Sequence, residues 1–225
     1  MSHQSVIFGT SRGIGLEVVR LLARRPGHII AVCRKPSREL RALEAAGRVE
    51  LQSGVDITDR QALAGFADRL DDGAIDMLMV VAGVLERVEL DSLDAASIQR
   101  QFAVNALGPL QTVAALRTKL RGGGKIGLVT SRMGSLGDNG SGGSYGYRMS
   151  KAALNMAGRC LAHDLEPQGV AVALLHPGWV RTEMTRPGGN IEADEAARGL
   201  LAQMDALTLA ETGCFVHQTG EVLPW

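Results

Sequence analysis

An apolar segment, Ser5–Gly9, runs without a linker into Gly9-Thr10-Ser11-Arg12-Gly13-Ile14-Gly15, and this loop opens directly into a helical pattern over Gly13–Ala23. Glycines spaced by four and then by two, set between a strand and a helix, narrow the possible folds. They permit a tight turn and let a pyrophosphate approach the backbone. The free N–H groups and positive dipole end of the helix attract the same anion. An isolated glycine triplet more often only connects two elements, but the strand before it and the helix after it favour a nucleotide loop. Gly9, Ser11, Arg12, Gly13, Ile14 and Gly15 are its candidate contacts.

Val- and Ile-rich runs continue to alternate with helical segments along the chain, the pattern of a parallel sheet covered on both faces. Strands are predicted at Ser5–Gly9, His28–Cys33, Val49–Gln52, Met77–Val81, Lys125–Thr130, Val170–Leu175 and Cys214–Val216. Helices are predicted at Gly13–Ala23, Ser37–Ala46, Arg60–Leu70, Ala95–Arg117, Tyr145–Leu165 and Glu192–Gln203. Gly122-Gly123-Gly124 is expected to break the chain before a strand, and Gly134–Ser144 to form an irregular loop. With 225 residues, 45% of them hydrophobic, the chain has material for one core. The predicted fold is α/β: a single doubly wound Rossmann domain over residues 1–225, with a seven-stranded parallel sheet and helices on both faces.

Twenty-four basic residues balance 24 acidic ones, and no basic run with interleaved aromatics forms a nucleic-acid footprint. No apolar stretch is long enough to cross a bilayer, and Met1-Ser2-His3-Gln4 lacks the features of a secretory signal. Cys33, Cys160 and Cys214 are isolated, fitting neither a disulfide framework nor a metal site. No nucleic-acid, membrane or metal partner is expected, and a cytoplasmic location is.

An acid after the second strand would favour NAD by bonding the ribose 2′-hydroxyl and repelling a 2′-phosphate. This chain has Cys33-Arg34-Lys35 there, and Arg34 together with Arg12 can clamp a 2′-phosphate. NADP(H) is therefore expected in preference to NAD(H). The bland alternative is that Arg34 and Lys35 are solvated surface charges. Asp56, followed by Ile57 after the third strand, is a candidate acceptor for the adenine amino group and equally a helix cap.

Tyr147 and Lys151 lie four residues apart, on one helical face. An ammonium beside a phenol lowers the phenol pKa from near 10 toward the working range of a general acid/base. With this pair the chain resembles the short-chain dehydrogenase/reductase superfamily, from the glycine loop almost to the C-terminus. The resemblance implies that Tyr147 is the acid/base and that Lys151 also holds the nicotinamide ribose. Ser131 matches the serine that bonds the substrate oxygen, and Asn105 the asparagine that positions a relay water. Ala82 and Gly83 match the family's turn beside the cofactor. Pro177, Gly178, Val180 and Thr182 fall in the segment near the nicotinamide carboxamide. Phe8 stands where the family usually has Thr, and Val80-Val81 where it has an Asn pair. The 16-residue interval from Ser131 to Tyr147 is long for the family, so Gly137–Ser144 should bulge and shape the substrate pocket. Ser131–Ser135, Gly142–Tyr145 and the ending Gly220–Trp225 are similar to the C-factor and sniffer-like branch, which includes carbonyl reductases and signalling proteins.

The resemblance implies hydride transfer between NADPH and a small carbonyl or alcohol substrate. The rival is a catalytically silent NADP(H)-binding sensor on the same fold, against which the intact Ser131, Tyr147 and Lys151 argue. A methyltransferase with a similar first loop would want an acid after the second strand and has no use for the tyrosine–lysine pair. Arg186–Asn190 is too short for a large lid. Ala153, Met156, Ala157 and Leu161 on the Tyr145–Leu165 helix raise the expectation of a homodimer or homotetramer.

Overall fold

The computed structural model describes residues 3–185 and 188–225; Met1, Ser2 and the first two residues of the Arg186–Asn190 segment lie outside them. The strands are β1 (Gln4–Phe8), β2 (His28–Cys33), β3 (Glu50–Ser53), β4 (Ile75–Val80), β5 (Leu120–Val129), β6 (Ala171–His176) and β7 (Cys214–His217). They form one parallel sheet in the order β3-β2-β1-β4-β5-β6-β7. The helices are α1 (Gly13–Leu22), α2 (Arg38–Ala45), α3 (Arg60–Ala67), α4 (Ala95–Phe102), α5 (Gly108–Leu116), α6 (Tyr145–Leu165) and α7 (Ala193–Ala206).

Successive strand residues point to opposite faces, which is why the central strands are apolar throughout. Val6 and Phe8 pack with α3, α5 and α6, whereas Ile7 packs with α1, α2 and α7. The chain runs outward from β1 to β3 and then returns to β4 on the other side of β1. That reversal leaves a crevice at the carboxyl ends of β1 and β4, where open α/β sheets bind ligands. Phe8, the departure just before the glycine loop, is buried edge-on against Phe66 with ring centroids 5.6 Å apart. An aromatic contact thus fills that position.

Two elements differ from expectation. The glycine triplet does not end the chain's extended run: β5 begins at Leu120 and passes through it, with a register shift opposite Ile75 and Met77 and with Gly123 at φ +85°. Glycine absorbs this irregularity because it tolerates positive φ. The long helix predicted over Ala95–Arg117 is interrupted by a π turn, Ala103–Leu107, between α4 and α5. Pro109 carries no N–H, so the α-helical bond to the carbonyl four residues back, that of Asn105, cannot form. The ladder widens by one residue at this point, as π turns do at functional sites. On α6, Leu161 belongs to the core, while Met149 and Met156 stay exposed.

Candidate active site

The crevice is a cleft of about 330 Å³, lined by the glycine loop, the end of β2, Asp56 and Ile57, Ala82 to Val84, and Thr182 to Met184. Two glycines are required by packing as much as by any ligand. Gly9 has φ +86°, and a Cβ on it would lie 2.5 Å from the Ala82 nitrogen; one on Gly15 would lie 2.2 Å from the Gly9 oxygen. Thr10 and Ser11 donate to the carbonyls of Val32 (3.1 Å) and Lys35 (2.6 Å), fastening the loop to the end of β2. Thr182, near Gly13, closes the opposite side.

The two arginines expected to clamp a phosphate both reach the cleft, each already beside a carboxylate. Arg12 pairs with Glu183, and Arg34 lies 3.5 Å from Asp56. Asp56 lines the cleft, and its Oδ1 accepts from the Thr58 backbone and hydroxyl at 2.9 and 2.8 Å, as in a helix-entry turn. Burial pushes its carboxyl up, but the Thr58 bonds and the Arg34 charge outweigh this and hold it below its ordinary value. The residues fit a 2′-phosphorylated dinucleotide: a glycine cradle at a helix N-terminus, two guanidinium groups, and no acid directly after β2. Pro177, Gly178 and Val180 do not line the cleft. Val180 is buried and forms an isolated bridge with Ile191.

Ser131, Tyr147, Lys151 and Asn105 are all buried, and like Pro177, Gly178 and Val180 they are not among the residues that line the cleft. Gly83 joins the two regions, since a Cβ on it would sit 3.3 Å from Asn105 Oδ1 and 3.7 Å from Lys151 Nζ. Ser131 follows β5, and its hydroxyl accepts from the Met133 amide at 3.1 Å, capping the short turn Arg132–Gly134. A Cβ on Gly134 would fall 2.7 Å from the Lys151 carbonyl carbon, so only glycine lets this turn pack directly on α6.

The electrostatics of the pair differ from the sequence expectation. Burial raises the Tyr147 phenol to about 12, only partly offset by a hydrogen bond with Ser131. Lys151 does not lower it: Nζ lies 5.8 Å from the phenol ring centroid and donates to the Val129 carbonyl at 2.9 Å. Burial lowers the lysine itself to about 8. Low dielectric disfavours both charged forms, moving the two pKa values in opposite directions. The Asn105 side chain is engaged by protein. Its Oδ1 accepts from the Val84 amide, and its Nδ2 donates to the Val84 carbonyl and to Ser150 Oγ, at 2.8, 2.8 and 3.0 Å.

Several supporting residues were not singled out in the sequence. Ser150 donates to the Tyr147 carbonyl at 2.8 Å and so links Asn105 to α6. Thr130 donates to Asn155 (2.7 Å), which in turn donates to the Gly134 carbonyl (3.3 Å). Cys33, Val84, Glu183 and Met184 line the cleft. His176 lies beside His217 with ring centroids 5.2 Å apart. Burial and the neighbouring His217, Arg132 and Lys151 lower its imidazole to about 3, keeping it neutral. The Gly137–Ser144 bulge is present, with Gly142 and Gly143 at positive φ and Arg148 donating to both of their carbonyls at 3.0 and 3.1 Å.

Residues 4–192 match the family model described as short chain dehydrogenase. The chain is 42% identical to 1-hydroxy-2-glutathionyl-2-methyl-3-butene dehydrogenase of Rhodococcus sp. over 226 aligned residues, 98% of each chain. It is 43% identical to C-signal of Myxococcus xanthus, over 72% of this chain and all of that one. A solved carbonyl reductase from Pseudomonas aeruginosa PAO1 in complex with NADP superposes with a TM-score of 0.85 at 32% identity, covering 100% of both chains.

Proposed function

The chain belongs to the short chain dehydrogenase family, and from that premise we propose that it is an NADPH-dependent carbonyl reductase with Tyr147 as its general acid/base. The observation that carries this reading is the burial of Ser131, Tyr147 and Lys151 together, with Gly83 connecting them to the cleft. The NADP-bound carbonyl reductase neighbour supports it.

Arg12 and Arg34, which pair with Glu183 and Asp56, would hold the adenosine 2′-phosphate of NADPH, and the N-terminal amides of α1 would hold its pyrophosphate. When bound, NADPH supplies the hydride that reduces the carbonyl carbon. Ser131 and Tyr147 both donate hydrogen bonds to the substrate oxygen as negative charge develops on it. With its pKa raised to about 12, the Tyr147 phenol is fully protonated at neutral pH, the form a reductase needs in a proton donor. Lys151, lowered to about 8, gives up and regains a proton readily near neutrality and so resupplies the phenol. Asn105 acts through its backbone: Pro109 removes the α-helical partner of its carbonyl, which holds the relay water while the side chain fixes Val84.

The test is fluorescence titration with NADPH followed by NADPH oxidation against a panel of ketones and aldehydes, for the wild type and Tyr147→Phe. The variant is expected to keep its cofactor affinity and lose about 10²- to 10⁴-fold in turnover. Undiminished turnover in Tyr147→Phe refutes the assignment.

A further inference from the structure

The Arg132–Gly134 turn that places the Ser131 hydroxyl is held from two sides. From beneath, Asn155 donates to the Gly134 carbonyl. From outside, the last five residues of the chain reach it. Arg132 Nη2 donates to Glu221 Oε1 at 2.6 Å, while its Nε lies 3.4 Å from Asp138 Oδ2. A few residues further on, the Gly137 amide donates to the Trp225 carbonyl at 2.7 Å. The tail is itself anchored: Leu223 is buried and its amide donates to Phe215, and the Trp225 ring lies 5.3 Å from Phe215 with the Arg159 guanidinium over it. The His217 amide donates to the Glu221 carbonyl at 2.8 Å, fixing that residue at the end of β7.

We propose that this C-terminal tail sets the position of the catalytic serine, with Arg132 and Glu221 as the positioning residues. The proposal rests on the carbonyl-reductase reading for the role of Ser131. Neither Arg132 nor Glu221 touches substrate. Their ion pair fixes the turn that Ser131 caps, and the Met133 amide donates to the hydroxyl of that serine. A bond to an oxygen developing charge in the transition state is sensitive to sub-ångström placement, so a slackened turn acts on the chemical step.

The test is a double-mutant cycle between Glu221→Gln and Ser131→Ala, with kcat, KM and NADPH Kd measured for all four proteins. Glu221→Gln is expected to lower kcat about tenfold with Kd for NADPH unchanged, and to cost nothing further once Ser131 is alanine. Equal losses in both backgrounds, or a parallel loss of NADPH affinity, would overturn the proposal. Hydrogen exchange supplies a readout independent of turnover. In Glu221→Gln the amides of Met133 and Gly134 should exchange faster while those of the glycine loop do not; unchanged exchange at the turn also overturns it. A wild-type protein without turnover on any carbonyl would sink the reductase reading and leave the exchange result to decide this one.

Discussion

Lys151 stabilises the fold less when charged, and the effect has a definite size. Its folded pKa of about 8 lies below the ordinary lysine value of 10.5, and the shift comes from burial alone. Between those two values the unfolded chain binds more protons than the folded one, so stability rises as pH rises through the window. The whole shift corresponds to about 3 kcal/mol, of which about 2.5 kcal/mol falls between pH 7 and pH 10. Tyr147 works in the opposite sense but above this range, since its phenol, raised from 10 to about 12, adds stability that is lost only as pH climbs through 10 to 12. Urea unfolding of the wild type and of Lys151→Met, under reducing conditions at pH 7 and pH 10, isolates the lysine. The variant also loses the bond to the Val129 carbonyl, but any change in that bond as the amine titrates is already contained in the folded pKa, and the remainder cancels from the comparison. The stability of the wild type relative to the variant should rise by about 2.5 kcal/mol on going to pH 10. A difference that stays constant, or moves the other way, would refute the argument that the ammonium is held in a desolvated site.

Three further outcomes follow from the cleft. Glu183→Gln frees Arg12 and should lower the Kd for NADPH by about two- to fivefold, as expected for an exposed ion pair, and leave NADH binding unchanged; fluorescence titration with both cofactors checks it. Gly15→Ala drives a methyl to 2.2 Å from the Gly9 carbonyl, so the loop must shift; thermal melts should show a loss of about 1–3 kcal/mol, and NADPH binding should fail. Asn105→Ala removes three hydrogen bonds and strands the Val84 amide and carbonyl, at an expected cost of about 3 kcal/mol by urea unfolding, with residual activity depending on how far Val84 moves.

What could be read in the sequence divides along physical lines. The seven strands, the glycine loop and the Tyr147–Lys151 face all depend on local periodicity and on short spacings, which a sequence displays directly. The π turn was also encoded locally, in Pro109, whose missing N–H falls four residues after Asn105 within an otherwise continuous helical pattern. The long-range partners have no such signature. Arg12 and Glu183 are 171 residues apart and Arg132 and Glu221 are 89 apart, and in each case the residue types are those of ordinary surface charges. The pKa directions of the Tyr147–Lys151 pair differ from the expectation for a related reason. Spacing along a helix says that two side chains share a face, but not that the sheet and the Ser131 turn bury that face. Once they do, desolvation outweighs the attraction between the pair and sets the direction of both shifts. The same burial that defeats the simple pairwise argument holds the Tyr147 phenol protonated at neutral pH.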